Sequence, residues 1–290
     1  MEQVINIDGK LFPAAEARIS VFDRGFLFGD SIYETLRTYG GKPFLMDRHL
    51  QRLQTSANML FMELPLDLQE FSRQVKRTVE ASSNAECYIR IIVTRGAGRI
   101  GLDVNLSKHP SYVIIVIRLE PPSPEYYETG IKVSVVSVRR NDITTLNPKI
   151  KSSNLLNNVL AYVQAKKQGA FEGILCNMAG NVAEGTGSNI FIVQNGKLKT
   201  PPPEAGLLEG VTRALTLDLA SAENVPFEET QFTPQELFQS EECFITSTTK
   251  EILPVRQVDD KEFLVVPGPV TKRLMHAYKK FVKHQETNLS

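Results

Sequence analysis

Pro121-Pro122-Ser123-Pro124 limits the fold more than any other stretch of this chain. Three prolines in four residues fix φ and withdraw three backbone donors, so the segment is stiff and cannot carry a sheet ladder. It reads as a linker. Residues 1–120 then form a first domain, 121–127 the connection, and 128–290 a second domain. At 290 residues both halves have enough material to bury a core.

Residues before the linker mix strands and helices. Residues 3–12 alternate around Asp8-Gly9, a hairpin signal, and Ile19 to Phe22 continues the strand pattern. Ser31 to Tyr39 reads as a strand that turns at Gly40-Gly41. Asp47 is placed to cap a helix whose apolar face is Leu50, Leu53, Ala57 and Leu60. Leu68, Phe71, Val75 and Val79 have the spacing of a second helix, and strands follow at 87–95 and 112–119.

Beyond the linker, strands are expected at 131–138, 172–178, 189–194 and 243–247. Asn195-Gly196 marks a tight hairpin. A helix runs from about 209 to 223, and Thr233-Pro234-Gln235-Glu236 has the capping-box pattern with Pro at the first helical position. A terminal helix covers 268–284.

Bulk properties exclude several function classes. Thirty-three Lys plus Arg balance 33 Asp plus Glu, with no basic stripe, so neither nucleic acid nor an anionic membrane is an expected partner. Cys87, Cys176 and Cys243 are odd in number and widely spaced, and read as reduced structural thiols of a cytoplasmic protein. His49, His109, His276 and His284 do not cluster at metal-ligand spacing, so no metal is expected. The amino terminus is too polar for a signal peptide, and the longest apolar run, Tyr112 to Ile117, is far short of a membrane span.

Chemistry concentrates at Asn147 to Val163. A short segment with Lys149 and Lys151 runs into a helix in which Leu155, Val159 and Val163 recur at i, i+4 and i+8 beside Leu156 and Leu160, so that face is expected to be buried. Ser152 or Ser153 can cap it. A lysine desolvated at the mouth of a packed helix loses its proton more easily and becomes a nucleophile towards carbonyls. Spacing does not choose between the two lysines, since in an extended segment both point the same way.

The run Lys151-Ser152-Ser153-Asn154-Leu155-Leu156 resembles the Schiff-base segment of the fold type IV pyridoxal-phosphate enzymes, a family of branched-chain and D-amino acid aminotransferases, amine transaminases and aminodeoxychorismate lyase. The resemblance covers nearly the whole chain. It implies a two-domain α+β architecture, with a smaller N-terminal α/β domain and a larger C-terminal domain built on a mixed, barrel-like sheet. It also implies pyridoxal 5'-phosphate as cofactor, amino acid and 2-oxo acid substrates, and a homodimer.

Residue by residue, the resemblance makes Lys151 the catalytic, cofactor-bearing lysine. Glu184, in Glu-Gly-Thr-Gly-Ser-Asn, becomes the carboxylate facing the pyridine nitrogen, which lets the ring absorb a carbanion's electrons. Gly210-Val211-Thr212 opens a helix, whose amino end suits phosphate. Ser247 and Thr248 match a second phosphate contact, and Arg52 matches the arginine that neutralises the phosphate charge.

Gly96-Ala97-Gly98-Arg99-Ile100-Gly101 fits a dinucleotide fingerprint, but that motif requires a helix next, and residues 102–110 have no helical period. In the family this loop borders the substrate pocket, with Arg99 near a carboxylate-binding arginine. Tyr33, Thr35 and Arg37 share one strand face; with Arg90, Arg99 and Thr249 they are the candidate substrate residues. Leu155 and Thr248-Thr249 resemble the D-amino acid enzymes, whereas Tyr88-Ile89-Arg90 and Gly101-Leu102-Asp103 resemble the branched-chain ones. These positions tilt slightly towards D-amino acids, with branched-chain L-amino acids nearly level and 2-oxoglutarate as a fitting acceptor. Thr35 with Arg37 also allows a pyruvate-releasing aminodeoxychorismate lyase.

Overall fold

The computed structural model describes residues 2–288. Contacts divide the chain into two units, Met1–Glu120 with Ile150–Asn154, and Pro121–Lys149 with Leu155–Ser290. The lysine segment thus packs with the first unit, although it lies some 30 residues beyond the prolines.

In the first unit Val4–Ile7 (β1) and Lys10–Pro13 (β2) form the hairpin expected at Asp8-Gly9. Arg24–Phe28 (α1), Ser31–Tyr39 (β3), Lys42–Pro43 (β4), Met46–Met59 (α2) and Leu68–Glu80 (α3) follow, then Cys87–Thr94 (β5) and Ser111–Arg118 (β6). The strands make one antiparallel sheet in the order β2-β1-β6-β5-β3-β4. Alternation puts Ile32, Leu36, Ile89, Ile91, Ile114 and Val116 on one face, where Leu50, Leu53, Phe71 and Val75 from the two long helices cover them.

Two local expectations need correction. Residues 19–22 form no strand: Ile19, Val21 and Phe22 are exposed, because Ser20 and Asp23 close a turn and Asp23 then caps α1 through Gly25 N–H. Asp47 does not cap α2. The cap position is Leu45, in the left-handed region at φ 49°, which leaves Asp47 inside the first turn. At α3 the cap is Asp67, accepting from Glu70 N–H, an interaction worth about 1 kcal/mol.

The second unit begins with Pro124–Thr129 (α4) where an extended linker was expected; Pro124 stands at the first helical positions, which need no donor. Ile131–Arg139 (β7), Leu156–Lys167 (α5), Glu172–Cys176 (β8), Val182–Gly185 (β9), Asn189–Gln194 (β10) and Lys197–Thr200 (β11) follow. Val211–Ala222 (α6), Phe227–Glu229 (β12), Pro234–Gln239 (α7), Glu242–Ser247 (β13), Glu251–Val258 (β14), Lys261–Glu262 (β15) and Pro269–Asn288 (α8) complete it. Its mixed sheet runs β12-β11-β10-β13-β14-β7-β8-β9, with β15 beside β14. Only β11–β12, β14–β7 and β7–β8 are parallel. The Thr233 capping box forms as expected.

The face of α5 does not match its periodicity. Leu156, Val159, Leu160 and Val163 are exposed, and the buried positions are Ala161 and Ala165. Gly173 of β8 explains this: a Cβ there would lie 3.2 Å from Ala161 O and 3.3 Å from Ala165 Cβ, so the helix seats its small residues close to the strand. Neither Ser152 nor Ser153 caps the helix; Leu155 holds the cap position without a side-chain bond. Cys87, Cys176 and Cys243 are buried and free. Among the described residues no helix is long and apolar enough to cross a membrane.

Candidate active site

The lysine segment lies along β3 as a short antiparallel addition. Tyr33 N–H donates to Lys151 O (2.8 Å), Ser153 N–H to Ser31 O (2.9 Å), and Ile32 bridges Ser152. Lys151 N–H donates to Ser56 Oγ of α2 (3.1 Å). All of these bonds use backbone atoms of the segment or fixed partners, so Lys151 is held at its Cα while its side chain reaches over Tyr33, with Nζ 4.5 Å from the ring centroid. Lys149 differs: its Nζ makes a half-exposed ion pair with Glu209 (3.0 Å).

Under this strand lies a buried ionic cluster. Alternation sends Glu34 to the core side between Ile32 and Leu36, where it is fully buried. Arg52 forks onto it, Nε to Oε1 and Nη2 to Oε2, both 2.7 Å, and His49 Nδ1–H donates to Oε2 (2.7 Å). Burial alone would raise the Glu34 carboxyl, but the Arg52 charge and the bonds from Arg52 and His49 outweigh it and bring it down to about 2. Burial holds His49 below its ordinary value despite the pull of Glu34, and the charges of Arg52 and Lys151 push the same way.

A group whose folded pKa lies below its unfolded one adds stability above the unfolded value, and this stability fades as pH falls through the folded value. Glu34 therefore stabilises the fold fully above about pH 4.5, and its share is lost between there and about pH 2. Glu34→Gln leaves Arg52 largely buried without its carboxylate and is expected to cost about 3–5 kcal/mol at neutral pH. Urea unfolding at pH 7 and pH 3 measures this: the gap between variant and wild type should narrow at the lower pH, and an unchanged gap would contradict the assignment.

The opposite face of the same sheet is polar. Tyr33, Thr35 and Arg37 of β3 stand beside Tyr88 and Arg90 of β5, with Thr35 paired to Arg90 and Arg37 to Tyr88. Arg90 stacks on the Tyr33 ring at 3.9 Å, so its guanidinium and the Lys151 amine pack against the same ring. Arg37 stacks on Tyr39, also at 3.9 Å. Four predicted residues, Tyr33, Arg37, Arg90 and Lys151, thus come together, whereas Arg99 stands exposed in the 96–110 loop. The glycines of that loop serve close backbone approach: a Cβ on Gly98 would lie 2.2 Å from Leu106 O. A single 3-10 turn, Val104–Leu106, follows them instead of a helix.

In the second unit Glu184 lies on β9, 5% exposed. Arg140 Nε donates to its Oε1 (2.7 Å), while Leu208 N–H (3.0 Å) and Asn189 Nδ2 (3.4 Å) donate to Oε2. These donors orient the carboxylate. Gly210 precedes α6 with no side-chain cap, and a Cβ there would fall 2.0 Å from Asn189 Oδ1, so only glycine lets the helix begin so near the sheet. Val211 and Thr212 lie nearly buried in the first turn. Ser247, Thr248 and Thr249, half-buried, form the turn from β13 to β14, where Lys250 N–H donates to Ser247 Oγ (3.3 Å).

A buried pair ties that turn to the loop after Glu184. Glu172 Oε2 takes Lys250 Nζ (2.9 Å), and its Oε1 accepts from Gly187 N–H and Ser188 Oγ–H, both 2.7 Å. Burial would raise the Glu172 carboxyl; the Lys250 charge and these bonds hold it below its ordinary range.

An uncapped helix start beside hydroxyls, and an oriented, nearly buried carboxylate, suit the two ends of a pyridoxal phosphate: the phosphate and the ring nitrogen. The chain's residues fit the cofactor. Sequence reasoning missed Glu34, His49, Arg140, Asn189 and Glu172. Only Glu34 left a signal, as a carboxylate at a core-facing position of an alternating strand.

Comparison with known proteins agrees. The family model for amino-transferase class IV matches residues 31–258. A Methanocaldococcus jannaschii protein, provisionally named a branched-chain-amino-acid aminotransferase, is 40% identical over 95% of both chains. A D-alanine aminotransferase of Bacillus licheniformis is 32% identical over 93% of this chain and 94% of its own. The crystal structure of the T.th. branched-chain amino acid aminotransferase with pyridoxamine 5'-phosphate superposes with a TM-score of 0.91 at 28% identity, over 96% of this chain and 93% of that one. The chain belongs to the class IV aminotransferases, pyridoxal-phosphate-dependent transaminases that move an amino group between an amino acid and a 2-oxo acid.

Proposed function

We propose that this enzyme transfers the amino group of branched-chain L-amino acids to 2-oxoglutarate, with Lys151 as the proton carrier. The observation that carries the reading is the Tyr33 ring, against which both the Lys151 amine, 4.5 Å from its centroid, and the Arg90 guanidinium, 3.9 Å from it, are packed. A carboxylate bound by Arg90 lies within a small molecule's reach of the amine, as an amino acid or a 2-oxo acid needs. The names of the M. jannaschii relative and the T.th. enzyme favour the branched-chain donor. The B. licheniformis relative favours a second reading, D-amino acid donors.

The bound cofactor supplies an electron sink for the pair left at the substrate's Cα. Lys151 Nζ would hold the cofactor, and its amine would take up and give back the proton at the substrate's Cα. The Glu184 carboxylate would hold the ring nitrogen in its protonated form, and Arg140 keeps that carboxylate in place. Within the second unit, the amino end of α6 at Gly210, Val211 and Thr212 and the Ser247-Thr248 turn would take the phosphate. Tyr33, Arg37 and Arg90, which share one face of the first unit's sheet, would line the substrate.

The exposed apolar face of α5 supports a homodimer, and the buried free thiols support a cytoplasmic setting. Sedimentation of the holoenzyme as a monomer at micromolar concentration would remove the first, and recovery of the chain from a secreted fraction the second.

A half-reaction without acceptor tests the substrate. Holoenzyme is mixed separately with L-leucine, L-glutamate, D-alanine and D-glutamate while the absorbance of the bound cofactor is followed. Bleaching by L-leucine and L-glutamate alone is expected. Bleaching by the D-substrates alone would replace this reading with the second. Bleaching by none, with pyruvate released from aminodeoxychorismate, would identify a lyase.

A further inference from the structure

Thr246 of β13 stands directly opposite Asn189 of β10, so the two side chains leave the sheet on the same face. Asn189 shows where that face looks. Its Oδ1 crowds the position of a Gly210 Cβ, and its Nδ2 donates to Leu208 O, which places it against the start of α6. Cys243 and Ile245, at odd offsets from Thr246 along the strand, belong to the apolar core on the other side.

Thr246 is 1% exposed, and its Oγ1 has no hydrogen-bond partner among the described residues. Other buried threonines of this unit are satisfied: Thr200 Oγ1 donates to Ile190 O, Thr216 Oγ1 to Thr212 O, and Thr271 Oγ1 to Glu242. An orphaned buried hydroxyl costs free energy that a valine of the same shape would not incur, so it calls for a physical reason. α6 supplies one. It is twelve residues long, its first turn has no side-chain cap, and the amino end of such a helix suits an anion.

We propose that the Thr246 hydroxyl is a further ligand of the cofactor phosphate, donating its Oγ–H to a phosphate oxygen directly or through one ordered water. This rests on the assignment of the α6 amino end to that phosphate. The hydroxyl stands on a strand rather than on the helix or the turn, so it fixes the depth at which the phosphate sits.

The test uses the full-length chain freed of cofactor, with pyridoxal 5'-phosphate and pyridoxal as probes. Thr246→Val should weaken pyridoxal 5'-phosphate binding by about 10- to 100-fold, the equivalent of one hydrogen bond to a charged group. Pyridoxal, which lacks the phosphate, should bind the variant as it binds wild type. Thr246→Ser should retain wild-type affinity. Cofactor-free Thr246→Val should melt no lower than wild type, because it loses an unpartnered hydroxyl. Equal weakening of both probes, or unchanged phosphate-dependent affinity, overturns the proposal. Thr212→Val separates the two levels of the argument. If it weakens pyridoxal 5'-phosphate while Thr246→Val does not, the inference about Thr246 fails alone. If neither variant matters, the assignment of α6 to the phosphate fails as well.

Discussion

Replacing Lys151 by Ala is expected to lower turnover by at least ~10³-fold while leaving the fold intact. Proton transfer by a placed side chain contributes about 10²- to 10⁴-fold, and this variant also loses the amine proposed to hold the cofactor. The fold should survive because the segment is anchored by its backbone: Tyr33 N–H donates to Lys151 O, and Lys151 N–H to Ser56 Oγ. Alanine keeps both bonds. Loss of activity with an unchanged melting temperature would therefore report chemistry rather than unfolding.

Lys149→Ala is the control. Its ion pair with Glu209 is 40% and 53% exposed on the two sides, a setting in which such pairs contribute at most ~1 kcal/mol. Activity should stay within a few-fold of wild type. A Lys151→Ala enzyme that turns over within ~10-fold of wild type would end the assignment. So would a Lys149→Ala enzyme that is dead while Lys151→Ala is active.

The two lysines also show where sequence reading stops. They lie two apart, so an extended segment sends both to one side. The structure separates them through tertiary contacts: Lys151 lies over an aromatic ring of β3, and Lys149 reaches a carboxylate next to α6. Both partners are distant in sequence. The long amphipathic helices, the Asp8-Gly9 and Asn195-Gly196 turns and the Thr233 capping box were legible because their causes are local. The eight-residue strand Glu251–Val258 went unread. It carries a proline and an arginine, and only its place between β13 and β7 makes it a strand.

The helix after Lys151 misled for a physical reason. Its leucines and valines have helical spacing, yet Ala161 and Ala165 are the residues that meet the sheet, because Gly173 lets the backbones approach. An apolar stripe is evidence of burial somewhere, not of burial within the same unit. The site divides in the same way. The resemblance points to Arg52 and Glu184, whereas the groups that orient them come from separated elements and share no spacing. Glu34 and His49 hold Arg52; Arg140 and Asn189 hold Glu184.

Glu184→Gln should slow the half-reaction by ~10²- to 10³-fold while the cofactor stays bound. The phosphate contacts and Lys151 lie on other elements, so occupancy should remain near one cofactor per chain. The rate should fall because an amide cannot hold the ring nitrogen protonated, and an unprotonated ring is a poor electron sink. The size follows from removing one preorganised charge in a site poor in water. The variant also leaves Arg140 buried without its carboxylate, so stability should drop by about 3–5 kcal/mol, and rates must be measured well below the melting temperature. Arg140→Met separates orientation from charge. Glu184 then keeps its bonds from Leu208 N–H and Asn189, and the rate loss should be nearer ~10-fold. A Glu184→Gln enzyme with full occupancy and a rate within ~3-fold of wild type would mean that this carboxylate serves Arg140 and the fold, and that another group governs the ring.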